Sequence, residues 1–202
     1  MTAKLKPAVF LDRDGTLNAE KNYLHRFDDW QWIPGAVEAI RRINLQGYLA
    51  IVVTNQAGIA RGFYTGDDVL HLHWQVDQQL AKFNARIDGY YFCSHHPEYG
   101  DNRDCPCRKP RPGMLLAAAR GLCIDLGASF MIGDKTIDVE AGVRAGVTPI
   151  LVLTGYGETE RDKVSADITC ATDVLHAVNL IAAGRPRPPG ARAMAESSRI
   201  YS

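Results

Sequence analysis

Lys6-Pro-Ala-Val-Phe-Leu-Asp-Arg-Asp-Gly-Thr16 is the stretch that decides the fold. Its apolar run, Lys6–Leu11, reads as a short buried strand that opens directly onto two aspartates and a glycine. Asp12 and Asp14, at i and i+2, leave the strand on one side. Like charges held that close raise each other's proton affinity unless a cation intervenes. Such a pair suits Mg²⁺, which takes oxygen ligands. It also suits a division of labour, one carboxylate attacking and the other moving protons. An Asp-Gly turn without chemistry is the plain alternative.

Working outward, strand and helix patterns alternate. Pro34 stands at the first position of a helix over Ala36–Leu45, and Gly47 stops it. Tyr48–Val53 is a β-branched strand ending at Thr54-Asn55. Thr65–Ala85 is an amphipathic helix, with Val69, Leu72, Val76, Leu80 and Phe83 at 3–4 spacing. Tyr90–Cys93 is a third strand, Gly113–Gly121 a helix, and Phe130–Ile132 a fourth strand that ends at Gly133-Asp134. Asp138–Ala145 is helical, Thr148–Leu153 a fifth strand, and Thr172–Ala183 a final helix. This alternation predicts an α/β fold, a Rossmann-like doubly wound parallel sheet. Its active site should lie outside the carboxyl ends of the strands. Residues 1–183 should form one domain. Residues 184–202, with three prolines, four arginines and little apolar content, read as a disordered tail.

The chain has 202 residues, 46% apolar and 23% charged, enough for one buried core. Lys+Arg and Asp+Glu are both 23, so a nucleic-acid binder working by phosphate neutralisation is disfavoured. No apolar run approaches the roughly 18 residues of a membrane span. Met1–Lys6 carries no signal-peptide core. The expectation is a cytoplasmic monomer acting on a small molecule. Five cysteines, an odd number, argue against a disulfide framework. Cys123 and Cys170 lie in apolar surroundings and read as buried, inert thiols. His25, His71, His73 and His176 read as ordinary helix or loop residues, and Trp30, Trp32 and Trp74 as packing residues.

Three further segments add chemistry to the aspartate pair. Thr54-Asn55 offers a hydroxyl and an amide, Lys109 a cation, and Gly133-Asp134-Lys135-x-x-Asp138 a second carboxylate pair. That set suits phosphoryl transfer, which is mostly positioning and charge neutralisation. The four segments, in this order, resemble the four motifs of the haloacid dehalogenase (HAD) superfamily of phosphotransferases. The resemblance spans Val9 to Leu153. It implies that Asp12 attacks phosphorus, and that Asp14 protonates the leaving group and then activates water. It implies Mg²⁺ held by Asp12, the main-chain carbonyl of Asp14, and Asp134. It further implies that Thr54 and Lys109 hold the phosphoryl oxygens, and that Asp138 supports the metal shell or Lys135. The spacing between the motifs leaves no room for a large cap domain.

Cys93-Ser94-His95 and Cys105-Pro106-Cys107 form a C-x-H…C-x-C pattern. Three thiolates and one imidazole match a closed, tetrahedral structural zinc site. Four unrelated residues are the alternative. The stretch from Cys93 to Pro110 resembles the zinc loop of a HAD subfamily. That subfamily contains D-glycero-D-manno-heptose 1,7-bisphosphate phosphatases and histidinol-phosphate phosphatases. The resemblance implies Cys93, His95, Cys105 and Cys107 as ligands, with His96 the alternative histidine that spacing does not exclude.

Asn55-Gln56-Ala57-Gly58-Ile59-Ala60-Arg61-Gly62 resembles the heptose-bisphosphate branch more than the histidinol branch. By that resemblance, substrate contacts fall at Glu20, Lys21, Asn22, Tyr23, Asn55, Gln56, Ala57, Arg108 and Lys135. A second phosphate would also explain extra cations at Arg61, Arg108 and Lys135, arginine being suited to bidentate contact. The competing readings are a histidinol-phosphate phosphatase, another small sugar-phosphate phosphatase, or a zinc-stabilised binding module without catalysis.

Overall fold

The computed structural model describes residues 4–184. All but the first residue of the expected tail therefore lies outside the described residues. Six strands form one parallel sheet in the order β3-β2-β1-β4-β5-β6. They are β1 (Ala8–Leu11), β2 (Leu49–Asn55), β3 (Gly89–Cys93), β4 (Phe130–Gly133), β5 (Thr148–Val152) and β6 (Thr169–Ala171). The helices are α1 (Ala36–Leu45), α2 (Gly66–Ala81), α3 (Gly113–Leu122), α4 (Thr136–Ala145), α5 (Gly157–Glu160) and α6 (Val174–Ala182).

The side-chain alternation of β1 sorts the core into two layers. Val9 and Leu11 pack with Ile40 and Ile43 of α1, Leu72 and Leu80 of α2, and Val178 of α6. Ala8 and Phe10 face the opposite way, onto Leu115 of α3 and Ala141 of α4. Helices thus cover both faces, as an all-parallel sheet requires. β1 is central, paired with β2 on one side and β4 on the other. The chain runs outward from β1 to β2 and β3, then returns to β4 on the other flank. The crevice between β1 and β4 is the topological switch point, where such sheets bind ligands. Asp12 follows β1 and Asp134 follows β4, so both open into that crevice.

The doubly wound parallel sheet agrees with the sequence reading, which anticipated five of its six strands, but several boundaries differ. Gly35, at φ 83°, sits between Pro34 and α1, so Pro34 precedes the helix and is not its first residue. α2 begins after Thr65, whose hydroxyl accepts from Asp68 N at 3.2 Å while the Asp68 carboxylate accepts from Thr65 N at 2.7 Å. That reciprocal cap fixes the start. The helix ends at Ala81, four residues before the expected stop, and Phe83 beyond it is 53% exposed. Trp74, read as a packing residue, is 57% exposed on α2, whereas Trp30 and Trp32 do pack against the core. Cys123 and Cys170 are half-buried rather than buried. β6 and α5 were not anticipated. Among the described residues no separate cap domain stands over the crevice, and no helix is long and apolar enough to cross a membrane.

Candidate active site

The crevice holds a cavity of about 260 Å³. Asp12, Asp14, Thr54 and Lys109 reach it from the ends of β1 and β2 and from the loop before α3. Lys109 is buried and has three partners. Its Nζ donates to Asp12 Oδ1 at 2.7 Å and to Val53 O at 2.8 Å, and forms an ion pair with Asp138 Oδ1 at 2.7 Å. Burial opposes its charge, but Asp12 and Asp138 more than offset that, and its pKa is raised. Asn55 holds the Lys109 main chain from both ends: Asn55 Nδ2 donates to Lys109 O and Asn55 Oδ1 accepts from Lys109 N, each at 3.1 Å.

Asp134 is wholly buried against two glycines. A Cβ on Gly15 or on Gly155 would lie 2.2 Å from Asp134 Oδ2, and both glycines have positive φ. Only glycine lets the two loops close on this carboxylate. Oδ2 accepts from Tyr156 N at 2.8 Å, while Oδ1 has no hydrogen-bond partner among the described residues. Burial, then the neighbouring Asp12 charge, push the Asp134 pKa well up. Carboxylate oxygens of Asp12, Asp134 and Asp138 lie within 4.8 Å of one another. A buried, orphaned oxygen among crowded carboxylates is what a divalent cation satisfies, so these residues fit Mg²⁺. Asp138 is the least free of the three. Its Oδ1 pairs with Lys109, and its Oδ2 accepts from Lys135 N at 3.0 Å.

Asp14 is gripped by donors. Arg13, fully buried, gives it Nη2 at 2.9 Å and Nε at 3.2 Å, Asn18 donates at 3.0 Å and Gln56 at 3.1 Å. Burial raises the Asp14 pKa, but the Arg13 charge and these bonds outweigh it, and the net shift is downward.

The residues expected to touch substrate divide into two groups. Glu20, Asn22, Tyr23, Asn55, Gln56, Ala57 and Lys135 line the cavity, whereas Lys21, Arg61 and Arg108 do not. Lys135 pairs with Glu20 at 3.1 Å and lies 4.4 Å from the Tyr156 ring centre. Arg61 lies 4.3 Å from the Tyr99 ring centre, with Nη2 3.2 Å from His96 Nε2. Arg108 donates to His95 O at 3.0 Å. Among the described residues, neither arginine forms an ion pair. Tyr64, Tyr156 and Ile137 also line the cavity and were not anticipated. Aromatic and aliphatic residues at such positions look like core in a sequence. The only available cue was Gly155, whose turn aims Tyr156 N at Asp134.

The cysteine loop converges on one point. Cys93 Sγ lies 3.5 Å from Cys105 Sγ and 3.3 Å from Cys107 Sγ, and His95 Nδ1 lies 3.3 Å from Cys107 Sγ and 3.7 Å from Cys93 Sγ. Tetrahedral zinc with Zn–S bonds near 2.3 Å requires S–S edges of about 3.8 Å, close to these spacings. The four residues therefore fit zinc with no open position. His96 points elsewhere: Nδ1 accepts from Glu98 N at 3.0 Å and Nε2 faces Arg61. The open choice between the two histidines falls to His95.

Sheet, switch-point carboxylates and buried lysine define a HAD-type hydrolase, and the HAD-hydrolase-like family model matches residues 106–180. The chain is 46% identical to the D-glycero-beta-D-manno-heptose-1,7-bisphosphate 7-phosphatase of Pasteurella multocida, covering 81% of this chain and 90% of that protein. It is 45% identical to the phosphatase of the same name from Escherichia coli K12, covering 82% and 88%. The D,D-heptose 1,7-bisphosphate phosphatase of B. bronchiseptica, solved with magnesium and phosphate, superposes with a TM-score of 0.80 at 29% identity, covering 88% of this chain and 99% of that one. The chain belongs to the heptose-bisphosphate phosphatase family.

Proposed function

We propose that this enzyme removes the C7 phosphate of D-glycero-D-manno-heptose 1,7-bisphosphate and leaves the C1 phosphate in place. The observation that carries the reaction type is the Asp12–Lys109 pair at the switch point, with Asp134 and Asp14 beside it. Asp12 is the nucleophile. One of its oxygens attacks phosphorus, the P–O ester bond breaks, and the electron pair goes to the sugar oxygen. Asp14 gives that oxygen a proton, and the sugar leaves as an alcohol. A water then attacks the aspartyl-phosphate and gives its proton to Asp14. The P–O bond to Asp12 breaks, releasing inorganic phosphate and restoring both carboxyl groups. Lys109 holds Asp12 in line and neutralises phosphoryl charge. The Thr54 hydroxyl accepts from Gln56 Nε2 at 2.8 Å, which leaves its own proton for a phosphoryl oxygen.

Mg²⁺ would be held by Asp12, Asp134 and the Asp14 carbonyl, and when bound it supplies charge neutralisation at the transferred phosphoryl group. Zn²⁺ would be held by Cys93, His95, Cys105 and Cys107, fixing the loop that carries Arg108 and Lys109. The guanidinium groups of Arg61 and Arg108, which form no ion pair among the described residues, are with Lys135 the cations we assign to the second phosphate. Glu20, Asn22, Tyr23 and Ala57, which line the cavity, would meet the sugar, with Lys21 at its rim. The same reading takes residues 1–183 as one domain, with a tail beyond, in a cytoplasmic monomer.

A phosphatase screen over heptose 1,7-bisphosphate, the corresponding monophosphate and histidinol phosphate tests the proposal. The bisphosphate should give the highest kcat/KM and release one phosphate. Equal kcat/KM on histidinol phosphate would overturn the substrate assignment.

A further inference from the structure

We propose that Tyr64 is a positioning residue for proton transfer, acting through Gln56 on both Asp14 and Thr54. The inference rests on the phosphatase reading above, and it gives work to a residue that no motif singles out.

Gln56 is 2% exposed and all its polar ends are engaged. Its Oε1 accepts from the Tyr64 hydroxyl at 2.7 Å and from Arg13 Nη2 at 3.2 Å. Its Nε2 donates to Thr54 Oγ1 at 2.8 Å and to Asp14 Oδ2 at 3.1 Å. Arg13 can only donate, so the end of the amide that faces it is the oxygen, and the amide has one orientation here. Tyr64 supplies the shortest of the four bonds that hold it.

The consequences reach both partners. Thr54 Oγ1 accepts a hydrogen bond from Gln56 Nε2, so its own hydroxyl proton is directed away, toward the crevice. Asp14 has one oxygen steered by the same amide. Tyr64 in turn is fixed by packing. It is 7% exposed, stacks on His25 with ring centres 4.9 Å apart, and lies so close to the loop that a Cβ on Gly58 would fall 2.2 Å from its ring. Gly58 therefore lets the loop lie flat against the ring. The chain of contacts runs from a packed aromatic, through one amide, to the acid/base and a phosphoryl donor.

A displaced acid harms a poor leaving group far more than a good one. A sugar alkoxide needs its proton as the P–O bond breaks, whereas p-nitrophenolate leaves without one. kcat/KM reports events up to that cleavage, so later hydrolysis of the aspartyl-phosphate does not obscure the comparison. A fully placed general acid contributes about 10²–10⁴, so loosening it in Tyr64→Phe should lower kcat/KM on heptose 1,7-bisphosphate about tenfold. The loss on p-nitrophenyl phosphate should be about twofold, so the ratio of the two falls about fivefold. Gln56→Met should show a split at least as large. Adding Tyr64→Phe to Gln56→Met should cost nothing more, because the two act in series. Equal losses on both substrates would mean a merely structural role and would overturn the proposal. So would an unchanged ratio in Tyr64→Phe, or additive losses in the double variant. A wild-type enzyme that turns over neither substrate would instead sink the phosphatase reading beneath it.

Discussion

His73 offers a clean test of the fold's interior. It lies on the inner side of α2 and is 3% exposed, and neither ring nitrogen has a hydrogen-bond partner among the described residues. The ring stacks on Tyr90 with centres 4.2 Å apart and planes at 14°, and Phe92 lies 6.3 Å away. The charges facing it are Arg13 and Asp14 on the loop after β1, and Asp77 lies across Tyr90, bonded to its hydroxyl at 2.7 Å. Burial first, then Arg13, drive its pKa down from 6.5 to about 3, with Asp14 opposing weakly. The unfolded chain therefore binds a proton that the folded chain refuses between about pH 6.5 and pH 3. Stability is full above 6.5 and falls as the pH drops through that window. At pH 5 the loss is about 1.5 pH units at 1.36 kcal/mol each, or about 2 kcal/mol. His73→Phe keeps the stack and removes the titrating ring. At pH 7.5 it should be neutral or mildly stabilising, since it removes two buried unpaired nitrogens. At pH 5 its advantage over wild type should grow by about 2 kcal/mol, about 4–8 °C in melting temperature for a domain of this size. Urea unfolding of both proteins at pH 7.5, 6 and 5 measures it. Parallel stability curves across that range would refute the claim that the ring is buried neutral.

Other substitutions reach the chemistry. Asp12→Asn keeps shape but removes the attacking oxygen, and kcat should fall by about three or more orders of magnitude; more than a tenth of wild-type activity would reject Asp12 as nucleophile. Purified enzyme should hold about one zinc per chain by elemental analysis, and Cys107→Ala should lose it while still binding Mg²⁺. Absence of zinc together with full stability would dismiss the structural site. Arg108→Ala should lower kcat/KM on the bisphosphate by roughly ten- to a hundredfold, the value of one charge-assisted bond, with a smaller loss on an aryl phosphate. Equal loss on both would place Arg108 at the reacting phosphate instead.

The architecture was legible because each buried strand announces itself as an apolar run that stops at polar residues. β1, β2, β4 and β5 are nearly fully buried and were visible for that reason. β6 is three residues, Thr169–Ala171, at the sheet edge, too short for periodicity to register. Pro34 was misplaced because a proline pattern cannot reveal that Gly35 takes a left-handed conformation before α1. Phe83 matches the spacing of α2 but lies past its end, where the chain has left the helical path.

The site shows a sharper limit. Asp12 and Asp134 stand out in the sequence because few structural roles need a charged group at the mouth of a buried strand, whereas Lys109 lies in the loop before α3 and is singled out by motif order alone. Asn55 and Gln56 could not be read the same way. An amide suits a sugar hydroxyl, and it suits a backbone or a carboxylate equally well. In the folded chain Asn55 binds the Lys109 main chain, and Gln56 binds Tyr64, Arg13, Thr54 and Asp14. Those bonds engage the groups that were expected to greet substrate, while both side chains still line the cavity. In the reading proposed above, the two amides also set the geometry of the residues around them. Donors for a second anion would come from side chains without ion partners, and among the described residues Arg61 and Arg108 are such groups, both tied to the zinc loop through His96 and His95. In the proposed reaction, metal at Cys93 and Cys107 would thus govern where the second phosphate can be held, while Asp12 and Lys109 would govern where the first one reacts.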